Sequence, residues 1–449
     1  MMKYSLIISE FSIILLLLTS SCIAMNDIPV GRRYAVVYYG GSNDYITKLI
    51  LERNYTIVIA QPFFVIPKEW IRHGVKVYAY LNILGLPIEK LDWVKKNHPE
   101  WLLYTKDGEI AKYWFGKAFM CNIAVKSFQD YLINKAKEYL ERGFTGVFLD
   151  DVHPEIKYLG GGLYDTPVYD ETKYGKWIDA LVHFMNRLKN ETSASLIYNA
   201  GWDPPSPELM SVVDGVMLEG HPGTWKGNPW KNPQYYYRPW SDILRVSIVA
   251  QKYAKEGKIV VALSYGDNES IYEYTYAAVR LFDFYYWITT PIINRTLNAE
   301  VLNIDLGNPL GDYELEGGVY YRIYDRGLVA INPYSKEYTA EIKVPSNWLE
   351  LARINGEVYK VNNGTLKVSL KAHEGIVLLL KKVGKSSQSA SRSQQGIVQD
   401  HNEKRIIDIL RAHEYELMAI FIALMTLSLI HISEPTRPLY ISYAVFCLK

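Results

Sequence analysis

Two short segments share a pattern that ends in acid. "GVFLD" closes on Asp150 and "GVMLE" closes on Glu219, each a glycine, three apolar residues and a carboxylate. A buried strand that finishes on a charge presents that charge at a rim. Two carboxylates on one rim are the minimal equipment for glycoside hydrolysis, one ionised as nucleophile or base and one protonated as acid. Asp151 follows Asp150 directly. Successive side chains of a strand face opposite ways, so only one of the two is expected inside. Asp150 is taken as that one. Asp151 is expected to act in support, as a helix cap or a partner of the loop carrying His153.

Asp150, Asp151, His153 and Glu155 also form a dense oxygen and nitrogen cluster that a metal could use. Metal-dependent deacetylases with an adjacent aspartate pair add an H-x-x-x-H pair, and the nine histidines here contain none. No metal and no cofactor are expected. The G-x-S-x-G elbow of acyl transfer is absent, and nothing in the sequence pairs Cys121 with a histidine.

The elements that must hold these acids form a rhythm. Short runs rich in β-branched and aromatic residues lie at 34–40, 55–61, 76–83, 146–151, 195–201, 214–220, 258–266 and 285–291. Amphipathic stretches such as 127–143 and 173–190 separate them, with apolar residues at three-to-four spacing. Eight strands alternating with helices over residues 31–300 predict an α/β fold, a (β/α)8 TIM barrel, whose sites sit at the C-terminal strand ends. Those ends are polar throughout: Tyr38 and Tyr39, Gln61, Asn82, Asp150, Asn199, Glu219, and Tyr265. The rival open sheet is weakened because "YYGGSND" after the first strand lacks the G-x-G-x-x-G pattern. From 301 to 382 the runs become short and alternating, split by Gly, Asn and Pro, which predicts a small antiparallel, sandwich-like β-domain.

Composition narrows the partners. A net charge of +1 makes no electrostatic case for nucleic acid. Three cysteines cannot build a disulfide framework. The 37 tyrosines and 11 tryptophans suit stacking on sugar faces, and they equally suit a heat-adapted composition. Residues 1–24 read as a signal peptide, and five N-x-S/T sequons (Asn54, Asn190, Asn268, Asn294, Asn363) are compatible with an exported glycoprotein. Residues 383–416 form a polar Ser/Gln-rich linker, and 417–426 begin an apolar run read as the start of a membrane anchor. Residues 427–449 resemble a sequencing adapter translated in frame and are set apart from the fold. Leader, linker and anchor together predict a secreted protein tethered to the outer cell surface.

"GFTGVFLDDV", "LIYNAGW", "GVMLEG" and "MCNIAVKSFQDYL" resemble an exported glycoside-hydrolase-like barrel family related to endo-α-1,4-polygalactosaminidases. The resemblance covers residues 33–296, and "RIYDRGLVAINP" with "GIVLLL" resembles the β-domain that follows such barrels. It implies a polysaccharide substrate, with Asp150 as nucleophile or ionised carboxylate and Glu219 as acid/base. It implies a sugar site lined by Tyr38, Tyr39, Asn82, Asn199 and Trp202, to which the strand-end reading adds Asp151 and Tyr265. Asn122 stands in "MCNIAV" where the family carries an acid, so the polymer cut need not be a galactosaminan. A non-catalytic carbohydrate-binding surface protein on the same scaffold is the alternative, and it predicts carboxylates too far apart to cooperate.

Overall fold

The computed structural model describes residues 33–38, 44–159, 163–227, 232–290 and 300–381. The expected leader, linker, anchor and adapter-like tail lie outside the described residues, and so does Tyr39.

All eight expected segments are strands: β1 (Ala35–Tyr38), β2 (Ile57–Ala60), β3 (Lys76–Asn82), β4 (Gly146–Asp150), β5 (Ser195–Asn199), β6 (Gly215–Glu219), β7 (Ile259–Tyr265) and β8 (Tyr285–Thr289). They pair parallel in chain order. Tyr34 bridges to Tyr286, whose backbone N–H donates to the Arg33 carbonyl at 2.9 Å, and the sheet closes into a barrel. The strands are buried on both faces because helices cover the outside, which is why they read as continuous apolar runs.

The larger covering helices are α1 (Asp44–Glu52), α2 (Lys126–Glu141), α3 (Trp177–Thr192), α4 (Trp240–Lys255) and α5 (Glu269–Arg280). In α2 the apolar stripe Phe128, Leu132, Ile133 and Ala136 is buried. Gly143, at φ 99°, follows its C-cap and lets the chain turn into β4. The stretch expected to run as one helix from 173 is broken. Gly175 at φ 75° ends a short turn, Glu171–Tyr174, and α3 begins at Trp177.

The repeated glycine of the two acid-ended segments has a packing reason. A Cβ on Gly146 would lie 2.5 Å from the Ser195 carbonyl and 2.6 Å from the Tyr78 ring. One on Gly215 would lie 2.6 Å from the Ile259 carbonyl. Each glycine lets its neighbours close in at the bottom of the barrel. Gly146→Ala is expected to cost about 1–3 kcal/mol of stability, read from a urea midpoint, because backbone rather than a flexible side chain must move. An unchanged midpoint would show that the strand start is loosely packed.

Much of the aromatic excess serves the core. Tyr34 donates to the carbonyls of Val301 and Ile304 at 2.6 and 3.0 Å, and Tyr55 to that of Leu302 at 2.6 Å. Those hydroxyls satisfy the segment that follows β8, so for them the sugar-stacking reading does not apply.

The C-terminal strands are β9 (Glu314–Glu316), β10 (Val319–Tyr324), β11 (Gly327–Asn332), β12 (Tyr338–Lys343), β13 (Glu350–Arg353), β14 (Val358–Asn362), β15 (Thr365–Leu370) and β16 (Glu374–Leu380). They form an antiparallel sheet in the order β9-β10-β11-β16-β13-β14-β15-β12. One face belongs to the barrel's own core: Tyr320, Tyr324, Val329, Ile331 and Val377 join the same buried cluster as the barrel strands. The other face packs its own cluster around Leu328, Ile342, Leu351 and Leu366. Arg353 grips Glu273 of α5 through Nε at 3.0 Å and Nη2 at 2.7 Å, and it reaches Glu374 at 3.0 Å.

Candidate active site

Asp150 ends β4 and Glu219 ends β6, with β5 between them. Asn199 closes that middle strand. Its Oδ1 accepts from the Gly201 N–H at 2.9 Å, which turns Nδ2 toward the acids. Nδ2 donates to Asp150 Oδ1 at 2.8 Å and to Glu219 Oε2 at 2.6 Å. Two oxygens sharing one nitrogen lie at most about 5.4 Å apart, the sum of those contacts. Each acid takes one further donor, Tyr80 to Asp150 Oδ2 at 2.6 Å and Tyr265 to Glu219 Oε1 at 2.6 Å.

Asp151 does not behave as strand alternation predicts. The strand ends at Asp150, and Asp151 turns left-handed at φ 55°. With the pleat broken, its carboxylate stays close enough for its charge to act on Asp150, held by a second set of donors. Asn82 Nδ2 and the Tyr164 hydroxyl, the latter at 2.7 Å, donate to it. His153 Nε2 stands 3.7 Å from Asp151 Oδ1, which matches the expected partnership with that loop. Asn82 is itself held in place, its Oδ1 accepting from Tyr113 at 3.0 Å and from the Leu84 N–H at 3.0 Å.

Three carboxylates with neutral partners create a demanding electrostatic site. Burial, then Asp151, then Glu219 push the Asp150 carboxyl up to about 7, against the pull of Tyr80 and Asn199. The ionised state that the resemblance implies for Asp150 is therefore reached only near neutral pH. Burial and the Asp151 charge hold the Tyr113 and Tyr164 hydroxyls far above the ordinary tyrosine range, so both act as donors.

Among the expected site residues, one network gathers Asp150, Asn199, Glu219 and Tyr265, and an adjoining one gathers Asn82 and Asp151. Tyr38 ends β1 but is buried, its ring edge-on to Phe64 at 6.1 Å. Trp202 stands half exposed beside the network. Arg238 lies over its ring at 5.1 Å and donates to its carbonyl at 3.2 Å. A Cβ on Gly220, the residue after Glu219, would come 3.0 Å from the Trp202 indole nitrogen, so that glycine makes room for the indole. Tyr80, Tyr113 and Tyr164 were not anticipated. Tyr80 was within reach, because it lies two residues before Asn82 on one face of β3.

The fold is a TIM barrel with acids at the C-terminal rim of its strands. The profile of a family described as hypothetical glycosyl hydrolase family 15 matches residues 75–328, more than half of the chain, and the chain belongs to that family. No curated protein matches the sequence. Among solved structures, the glycoside hydrolase domain of PelA from Pseudomonas aeruginosa is similar at 16% identity and a TM-score of 0.45, covering 58% of this chain and 96% of that one. The noncanonic maltogenic alpha-amylase AmyB from Thermotoga neapolitana is similar at 10% identity and a TM-score of 0.44, covering 77% and 98%. An alpha-amylase from Geobacillus thermoleovorans follows at 12% identity and a TM-score of 0.43, covering 79% and 99%.

Proposed function

We propose that this chain is an exported glycoside hydrolase that cleaves a polysaccharide, with Asp150 and Glu219 as its carboxylate pair. The observation that carries this reading is the single Asn199 nitrogen shared by both acids. It keeps one oxygen of each acid within about 5.4 Å of the other, short of the roughly 6.5–9.5 Å that admits a water between the groups and in favour of the close pairing, about 5–5.5 Å, of enzymes that retain anomeric configuration. The binding-protein alternative called for widely separated carboxylates, and the shared amide does not fit it.

In this reading Asp150 attacks the anomeric carbon while Glu219 protonates the departing glycosidic oxygen. Water, activated by Glu219, then releases the sugar from Asp150. Tyr80, Tyr265 and Asn199 hold the two carboxyls in position, and Asn82, Tyr164 and Asp151 form the adjoining wall. A third acid, Asp151, beside the pair favours a sugar with a cationic substituent, which supports an amino-sugar-containing polymer.

The test is release of reducing ends from a panel of amino-sugar and neutral polysaccharides, with product anomers followed by NMR. Release with retained configuration is expected. Inverted products would remove Asp150 as nucleophile, and no release from any polymer would remove the hydrolase reading.

A further inference from the structure

A small hairpin stands on the loop between β3 and α2, built from Lys112–Tyr113 and Ala118–Met120. Its turn passes through Trp114, Phe115 and Gly116 at φ 53°, 60° and 76°. Left-handed backbone suits glycine and is tolerated by Asn, whereas bulky aromatics there are strained. Asn-Asn-Gly would meet the same geometry at lower cost. Burial does not offset the strain, since Trp114 is 52% and Phe115 61% exposed.

The hairpin is tied to the site. Trp114 N–H donates to the Leu163 carbonyl at 2.7 Å, and the Lys117 N–H closes the turn on the Trp114 carbonyl at 3.2 Å. Tyr113, one residue earlier, is buried, stacks on Tyr164 at 5.9 Å and donates to the Asn82 that holds Asp151. Two exposed aromatics thus follow Tyr113 directly in the chain, on the Asp151 side of the site. Trp202, pinned by Arg238, stands on the Glu219 side.

We propose that Trp114 and Phe115 form a distal stacking platform for the apolar C–H faces of sugar rings. With Trp202 they hold a polysaccharide across several units, so that it is cut internally. The proposal rests on the hydrolase reading above. Its occupant is a glycan chain because the hairpin that carries the platform is pinned to the proposed sugar site, Tyr113 to Asn82 and Trp114 to the residue before Tyr164.

The test uses the full chain carrying Glu219→Gln, which binds without cutting, run in native gels containing glycol chitosan, hydroxyethyl cellulose or polygalacturonate. At least one polymer should retard it. Adding Trp114→Asn and Phe115→Asn should weaken that retardation about tenfold, as loss of aromatic stacking does. The melting temperature should hold or rise by about 1–3 °C as turn strain is relieved. In the unmutated chain, viscosity of the retarding polymer should fall well before reducing ends accumulate.

Undiminished retardation in the triple variant, retardation by none of the polymers, or loss of phosphatidylcholine/phosphatidylglycerol vesicle binding instead would overturn the platform. Reducing ends without a viscosity drop would overturn internal cutting. Platform-dependent retardation with no hydrolysis by the unmutated chain would leave the platform standing and remove the hydrolase reading. Hydrolysis with retardation indifferent to the two aromatics would do the reverse.

Discussion

Glu219→Gln should lower turnover on a polysaccharide about 10³- to 10⁴-fold and leave the melting temperature within a few degrees. The amide keeps the shape of the carboxyl and can still meet Tyr265 and Asn199, so the fold has little to lose. What it lacks is a proton for the leaving oxygen, and positioned acid catalysis contributes about 10²–10⁴. The signature is selective. An aryl glycoside whose leaving group departs without protonation should lose far less in its first step than the polymer does. Equal losses on both substrates, measured as kcat and kcat/KM, would deny Glu219 the acid's role.

Asp150→Asn should abolish turnover on both substrates, since the proposed nucleophile serves either. It should also stabilise the protein at neutral and alkaline pH. The native carboxyl is held up at about 7, above its ordinary value in the unfolded chain. A group shifted in that direction favours the fold while protonated, and the advantage is lost as pH rises through 7. Above that point the wild-type protein holds a strained charge among two other acids, and the amide does not. The variant's lead in melting temperature, about 2–4 °C at pH 8, should therefore shrink toward zero as pH falls to about 4. The same ionisation should set an acidic limb on the kcat/KM profile of the wild type near pH 7. A basic limb there would exchange the roles of Asp150 and Glu219.

The barrel was legible because its strands are buried on both faces and end in polar residues, so eight apolar runs with polar tips stand out against amphipathic helices. Asp150 and Glu219 were legible through the glycines that begin their strands, which the packing at Gly146 and Gly215 explains. The alternation argument that set Asp151 apart from Asp150 fails for a definable reason. Alternation holds only inside a strand, and the pleat stops one residue earlier than the acidic pair suggested. Tyr113 and Tyr164 were beyond the reach of periodicity. They come from loops after β3 and β4 and meet only because those loops fold over the same rim. Asn199 was expected to touch sugar. Its part as a shared clasp depends on the spacing of three neighbouring strand ends, which no local pattern encodes.

The C-terminal sheet carries an evolutionary consequence. Its residues complete the barrel's core, Gly375 presses where a Cβ would fall 2.6 Å from the Tyr274 backbone, and Arg353 clamps Glu273 on the same helix. That helix is launched by β7, whose last residue, Tyr265, steadies Glu219. The sheet is therefore not a detachable cassette. It must be inherited with the acids it indirectly steadies, and gene rearrangements that part the two should leave no functional descendants.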